Sequence, residues 1–356
     1  MHFDLFYELS LPPDSNKTES QVFHESLDEW ALADRLGFHA AWLVEHHFMR
    51  EYSHSTSPEL FLAAASQRTR QLRLGHGIVP LPYHHPIHVA EHLATLDVLS
   101  NGRVEFGYGR GFSPKEYQAF GANMADSRSL TQESLDIIRA SFSGRPIDFS
   151  GQHFTFNDLE ILPKCIQQPH PPLWAAAVSP ESFELAAQQS AGVLAGPFKP
   201  WFMVKEDILR YRRHWQQLHG DQPPRIAMTV GILCLEDGKR ARQLAKPALE
   251  WFYTHLLNQT RPILEKLHDS YEYYKSMQSL HTLFGKVIKL PVLETMGMAI
   301  VGDPAHCIKK LKKLEQHGVT HVLCAIGAGA LPTEVVQESM QVLADKVMPA
   351  FTPHTS

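Results

Sequence analysis

The sequence predicts an α/β fold, a single (β/α)8 TIM barrel with an insertion late in the chain. Short apolar runs alternate with longer amphipathic segments along nearly all of the 356 residues, a pattern typical of parallel strands joined by helices. Eight such apolar runs can be identified, and eight strand–helix units are the number that closes this barrel. The length is also within the range of one large barrel domain. We therefore expect one domain over residues 1–356.

The predicted strands are short and rich in β-branched or other apolar residues. In chain order they are HFDLFYEL (2–9), AAWLVEHHF (40–48), LRLGHGIV (72–79), RVEFGYG (103–109), PLWAAAV (172–178), GVLAG (192–196), RIAMTVGILCL (225–235) and THVLCAIG (320–327).

The segments between these strands have helical periodicity, and several begin at a proline, which suits the first turn of a helix. Helices are predicted over about 21–36, 58–68, 86–99, 128–142, 180–189, 199–218, 303–317 and 333–347, and a hairpin over 145–156. The stretch from about 255 to 298 is too long for one connection and has mixed periodicity. We expect it to be an insertion that acts as a lid.

An open, doubly wound sheet is the rival architecture. Its dinucleotide-binding form needs G-x-G-x-x-G directly after the first strand, and no such loop follows HFDLFYEL. The nearest glycine-rich segment, residues 107–111, has the wrong spacing, so the closed barrel is favoured.

Composition excludes several classes of function. A formal charge of −5 without long basic runs argues against nucleic acid or an anionic membrane as a partner. The first residues lack a basic region followed by a long apolar run, so we expect a cytoplasmic protein. The four cysteines are scattered, which is typical of reduced thiols and not of a disulfide framework or a zinc knuckle. No metal site is predicted.

In a (β/α)8 barrel the loops after the strands open on one face and line the active site. Arg110 follows the fourth predicted strand, between Gly109 and Gly111. Its planar, permanently charged guanidinium is suited to a phosphate. Ser179 follows the fifth strand as a predicted N-cap, and the free amides of the next helical turn would face an anion. Each feature alone also fits an ordinary surface ion pair or helix cap.

Glu45, His46 and His47 end the second predicted strand. An imidazole that titrates near neutrality can give or take a proton at a reactive centre. Strand alternation lets only one of the two histidines face the barrel mouth. The alternative is a polar strand end satisfied by its neighbours.

The segment from His88 to His92 matches H-x-x-E-H, a zinc-hydrolase pattern. Here, however, the helix follows a barrel strand, which places these histidines on the outer ring and away from the mouth. The short pattern is therefore interpreted as coincidental.

Four segments together, WLVEHHF (42–48), LGHGIVPLPYHHP (74–86), LSNGRVEFGYGRGFSPKEYQAFG (99–121) and the helix start around SPES (179–182), resemble the bacterial luciferases and luciferase-like flavin monooxygenases in order and spacing. The VGDP segment (301–304) before a later helix is also similar. The resemblance covers nearly the whole chain.

The resemblance implies that FMN is the cofactor, used as FMNH2. It implies His46 and Glu116 as catalytic residues, with His46 beside the isoalloxazine ring. The third strand is expected to pass under the flavin and to contain a non-prolyl cis peptide near Gly77 and Ile78. The cofactor-binding residues implied are Glu45, Gly77, Ile78, Arg110, Ser179, Pro180, Glu181, Ser182 and Phe183.

The implied activity is a two-component monooxygenase reaction. A separate flavin reductase supplies FMNH2, and one oxygen atom of O2 enters a small organic substrate such as an aldehyde, ketone or terpene. Gly109 stands where luciferase α subunits have a cysteine, which argues against light emission, and Glu116 stands where they have an aspartate. Two alternatives stay open: an oxidoreductase that uses the deazaflavin F420, and a flavin-binding barrel without catalysis. Family members are frequently dimers, and the small residues 63–65 would permit close helix packing, so we expect a homodimer.

Overall fold

The fold is a closed parallel barrel. The computed structural model describes residues 1–267, 288–329 and 331–351. Hydrogen bonding runs in a ring through eight parallel strands, β1–β2–β3–β5–β8–β9–β10–β12 and back to β1. These are the eight strands that the sequence predicts, so the predicted TIM barrel is confirmed.

The strands of the described residues have the following bounds: β1 His2–Tyr7, β2 Ala40–Leu43, β3 Arg73–His76, β4 Val79–Pro80, β5 Val104–Gly109, β6 Ile147–Ser150, β7 Thr155–Leu159, β8 Leu173–Ala176, β9 Gly192–Ala195, β10 Ile226–Cys234, β11 Ala299–Gly302 and β12 His321–Ala325. The antiparallel pair β6–β7 is the predicted hairpin.

The helices lie between these strands: α1 Glu19–Leu36, α2 Pro58–Ser66, α3 Pro86–Ser100, α4 Pro114–Ala119, α5 Ser127–Ser141, α6 Pro180–Gln188, α7 Trp201–His219, α8 Gly238–Leu267, α9 Leu290–Thr295, α10 Pro304–Gln316 and α11 Thr333–Val342. Proline opens α2, α3, α4, α6 and α10, where its missing N–H costs no helical bond. No described helix combines the length and the apolar run that crossing a bilayer takes.

The indole rings of Trp42 on β2 and Trp174 on β8 pack against each other inside the barrel. The rings of Trp42 and Trp174 meet edge-on with centroids 5.4 Å apart, and both side chains are fully buried. Glycine makes room for them, because a Cβ at Gly75 would lie 2.3 Å from the Trp42 ring and one at Gly192 would lie 2.6 Å from the Trp174 ring. The interior is therefore a packed core, and a ligand site has to lie at one end of the barrel.

The late insertion shows where the sequence analysis was incomplete. Its first part, from 255 to 267, continues the long helix α8, and its last part contains the short helix α9. Residues 268–287 lie outside the described residues, so the lid stays a prediction. The short strand β11 pairs with the second half of β10 and was not predicted, nor was the six-residue helix α4.

Candidate active site

The ends of strands β3, β5 and β8 meet at the carboxyl face of the barrel. Strands β5 and β8 are hydrogen-bonded neighbours, with Tyr108 opposite Ala175. At the end of β5, a Cβ on Gly109 would lie 3.0 Å from the side chain of Ile78 and 3.1 Å from that of Ala176. The absence of a side chain at residue 109 therefore brings three loops together, and a cysteine there would displace its neighbours.

Arg110 and the start of α6 consequently follow adjacent strands, as the sequence analysis expected. The Arg110 side chain is partly exposed, and among the described residues its guanidinium forms no ion pair with a carboxylate. Gly111 beside it has a φ of +67°, a conformation that favours glycine. A planar cation at this position is suited to an anion that the chain itself does not supply.

The first turn of α6 is organised as a capping box. Ser179 is the N-cap, its hydroxyl accepts from the Ser182 amide, and the Ser182 hydroxyl accepts from the Ser179 amide. Pro180 has no N–H to offer, and the ring of Phe183 is buried in the core, so Phe183 could contribute only its amide. The predicted cap is confirmed, whereas binding of a cofactor by this turn is still a prediction.

Basic groups surround the start of α6. Burial raises the pKa of Glu181, but its own amide, the Ser179 hydroxyl and the charges of Arg128 and Arg210 outweigh burial and lower it. The charge of Glu181 also acts to raise the pKa of Lys199, although burial outweighs it and lowers that pKa. Lys199 is paired with Asp207 and Arg210 with Glu184. The helix start itself favours an anion here, and a phosphate would replace the Glu181 carboxylate as acceptor. The sequence analysis did not identify Arg128.

His46 lies between two carboxylates at the end of β2. Its Nε2 is 3.8 Å from Glu8 Oε2 and its Nδ1 is 3.7 Å from Glu116 Oε1. Neither His46 Nδ1 nor Glu8 Oε2 has a hydrogen-bond partner among the described residues. The predicted catalytic pair, His46 and Glu116, is therefore brought together, and two buried polar atoms remain able to take a ligand.

The electrostatics of this cluster favour a proton shared near neutral pH. Burial lowers the pKa of His46, but the carboxylates of Glu116 and Glu8 outweigh burial and raise it. Burial raises the pKa of Glu8 to about 7, against the lowering effects of His46 and of the hydrogen bond from Tyr52. A positioned acid with a pKa near the working pH is what general acid catalysis needs.

Glu116 itself is fixed by neighbouring loops. It lies in the first turn of α4 and accepts from the His47 amide at 2.8 Å and from the Tyr83 hydroxyl at 3.1 Å. Glu45 faces other partners, since Oε1 contacts Nε2 of His47 at 3.0 Å and Nε2 of His84 at 2.6 Å. These contacts already use the Glu45 carboxylate, and its predicted role in cofactor binding remains untested.

Gly77 and Ile78 lie at the barrel mouth, both partly exposed. The cis peptide bonds of the described residues are Leu162–Pro163 and Gln168–Pro169. The expected non-prolyl cis peptide near Gly77 and Ile78 was wrong, because the chain turns there through trans peptides.

Glu8 and Tyr52 are two further residues that the sequence analysis missed. The Tyr52 hydroxyl donates to Glu8 Oε1 at 2.9 Å, and its ring lies 5.9 Å from that of His46. Glu8 could have been found by the same rule that selected His46, because it directly follows the first strand. Tyr52 lies in the loop between β2 and α2, where no sequence motif or strand end marks it as a site residue.

The fold and the site together define an enzyme-like barrel, with an arginine, a helix start and a largely buried imidazole at the carboxyl ends of its strands. Residues 1–321 match the model of the luciferase-like monooxygenase family. The chain belongs to this family, and the predicted enzyme class, a flavin-dependent monooxygenase, is confirmed.

The chain is similar to the oxygenase component of a flavin-dependent trigonelline monooxygenase from Acinetobacter baylyi, with 26% identity over 371 residues that cover 99% of this chain and 96% of the relative. Among solved structures it resembles the monooxygenase RslO1 from Streptomyces bottropensis, with a TM-score of 0.81, 28% identity and coverage of 99% and 100% of the two chains.

Two more distant structures share the fold. One is the oxygenating constituent of 3,6-diketocamphane monooxygenase from Pseudomonas putida in complex with FMN, with a TM-score of 0.78, 19% identity and 99% coverage of both chains. The other is an F420-dependent secondary alcohol dehydrogenase in complex with an F420–acetone adduct, with a TM-score of 0.73, 19% identity and 98% coverage of both chains.

Proposed function

We propose that the chain is the oxygenase component of a two-component monooxygenase that uses FMNH2 and O2. The proposal rests on Arg110 and the first turn of α6, which follow the hydrogen-bonded strands β5 and β8 and could therefore contact the same phosphate. The FMN-containing relative supports the choice of cofactor, and the relative described as an oxygenase component supports a separate reductase partner.

Residues of the mouth suit both parts of this cofactor. Arg110 and the amide of Glu181 would hold the phosphate through charge-assisted hydrogen bonds. The amides of Ser182 and Phe183 already donate to Ser179, so they would contact the phosphate only if those bonds opened. The apolar surface of Ile78 and Ala176, brought close by Gly109, offers a flat wall for a ring system. The peptide of Gly77 lies next to this wall.

FMNH2, when bound, supplies two electrons and two protons, so that one oxygen atom of O2 enters the substrate and the other leaves as water. The chain's own contribution at the reacting end is a proton held by His46 between Glu8 and Glu116. The ring of Phe112 packs edge-on against His46 with centroids 5.3 Å apart, which limits access of water to the imidazole. We propose a small organic substrate such as an aldehyde, ketone or terpene.

The test is an anaerobic titration of the full chain with FMNH2, followed by mixing with O2 while flavin absorbance is recorded. We expect binding of the reduced flavin and a time course of reoxidation that differs from that of free FMNH2. Arg110→Ala should weaken binding, whereas the matched control Arg145→Ala, at an exposed arginine on the predicted hairpin, should not. Equal reoxidation with and without the protein would refute the proposal.

Hydride transfer with F420 is the second candidate, because an F420-dependent enzyme shares the fold. The same titration with reduced F420 separates the two. Binding of reduced F420 with no binding of FMNH2 would favour the second candidate.

A further inference from the structure

Three histidines meet at the amino end of the barrel, opposite the proposed flavin site. They are His2, His39 and His321, and each offers one ring nitrogen, all within 4.8 Å of one another. His2 begins β1 and pairs in register with His321, which begins β12. His39 immediately precedes β2. The cluster therefore joins three neighbouring strands across the seam where the last barrel strand meets the first.

The outer nitrogens of two of these rings are already used. Nδ1 of His39 lies 3.0 Å from Asp4 Oδ1, and the other Asp4 oxygen accepts from the Trp42 indole at 2.9 Å. Since a carboxylate only accepts, His39 donates through Nδ1, which leaves Nε2 as the nitrogen that can bind a cation. A histidine oriented by a carboxylate in this way is the usual arrangement around a protein-bound metal.

The His321 ring is oriented by a hydroxyl group in place of a carboxylate. Its Nδ1 lies 2.8 Å from the Thr320 hydroxyl, and that hydroxyl donates its single hydrogen to the Ile226 carbonyl at 3.0 Å. With its hydrogen directed at that carbonyl, the Thr320 hydroxyl accepts from His321, so that Nδ1 carries the proton and Nε2 the lone pair.

Converging lone pairs repel unless a positive charge lies between them. A proton on His39 is one way to supply it, and a divalent cation is the other. Three imidazoles with an open fourth position are a ligand set that Zn²⁺ prefers. We propose that His2, His39 and His321 bind one Zn²⁺ ion, which links strands β12, β1 and β2 at the closure of the barrel.

The proposed site is distinct from the zinc-like pattern that the sequence contains. His88 and His92 lie on the outer helix α3 with ring centroids 6.3 Å apart, and the described residues near them form no group of three ligands. This pair therefore offers a matched control. The proposal also departs from the sequence analysis, which predicted no metal site, because the three histidines are far apart in the chain.

The test is calorimetric titration of untagged, metal-stripped full chain with ZnCl2, together with thermal unfolding at each zinc concentration. We expect one Zn²⁺ per chain and a melting temperature that rises with zinc, because an ion that binds only the folded chain stabilises it. His39→Gln should weaken binding at least about tenfold and remove the shift. The double variant His88→Gln, His92→Gln should behave as the unchanged protein.

His39 is partly exposed and precedes its strand, so His39→Gln is expected to fold, and His2→Gln provides a second variant if it does not. Co²⁺ added to the unchanged protein should give visible absorption bands of imidazole coordination that Zn²⁺ displaces. Absence of zinc binding, equal affinity in His39→Gln, or loss of binding in the α3 double variant would each overturn the proposal.

Discussion

Replacing Glu8 by Gln should make the stability of the protein less dependent on pH. Burial raises the pKa of Glu8 from 4.5 to about 7, so the folded state keeps a proton that the unfolded state has released. The unfolding free energy contributed by this group is therefore present below pH 4.5 and is lost as the pH rises to 7. Gln keeps an oxygen to accept from Tyr52 but has no charge to bury.

The magnitude follows from the two pKa values. At about 1.4 kcal/mol per pH unit, the difference between 4.5 and about 7 corresponds to about 3 kcal/mol of unfolding free energy. Glu8→Gln should thus match the unchanged protein near pH 4 and exceed it by up to about 3 kcal/mol at pH 8. The raised pKa of His46 also makes the protein less stable as the pH rises. Removing the Glu8 charge removes one cause of that raised pKa, so this part of the pH dependence becomes smaller as well.

The assay is urea unfolding at several pH values between 4 and 8, with Glu206→Gln as the control at an exposed carboxylate. We expect the two controls, Glu206→Gln and the unchanged chain, to lose stability in parallel as the pH rises. Parallel curves for Glu8→Gln and the unchanged chain would show that folding does not raise the pKa of Glu8.

Three further outcomes are expected. Arg110→Ala should weaken FMNH2 binding by about tenfold to a hundredfold in an anaerobic titration, since one charge-assisted hydrogen-bonded contact is lost; unchanged affinity would contradict the phosphate assignment. Gly107→Ala should strongly lower the melting temperature, because its Cβ would lie 1.9 Å from the His76 carbonyl oxygen. Gly77→Ala is the control and should hardly change the melting temperature, because its Cβ would lie 3.4 Å from the nearest atom. Equal melting temperatures of the two variants would be inconsistent with this packing. His46→Gln should lower product yield about tenfold to ten-thousandfold at unchanged flavin binding, and full activity in this variant would exclude His46 as the proton donor.

The periodicity of the chain was sufficient to predict the barrel. Each of the eight ring strands is a short apolar run, and proline opens five of the helices, so local signals and the closed fold agree. The rule that strand ends form the active site then selected His46, Arg110 and Ser179. The fold prediction succeeded because each element depends on residues that are close in sequence. The roles of His46, Arg110 and Ser179 stay predictions, and the structure shows only that these residues lie near strand ends.

Other features depend on contacts that no local pattern encodes. The neighbourhood of Glu8, His46 and Glu116 joins three separate loops, and the pKa of Glu8 depends on how deeply that loop is buried. The trans peptides near Gly77 and the pairing of β11 with β10 were likewise decided by packing. The histidines at positions 2, 39 and 321 meet only because barrel closure places the last strand beside the first.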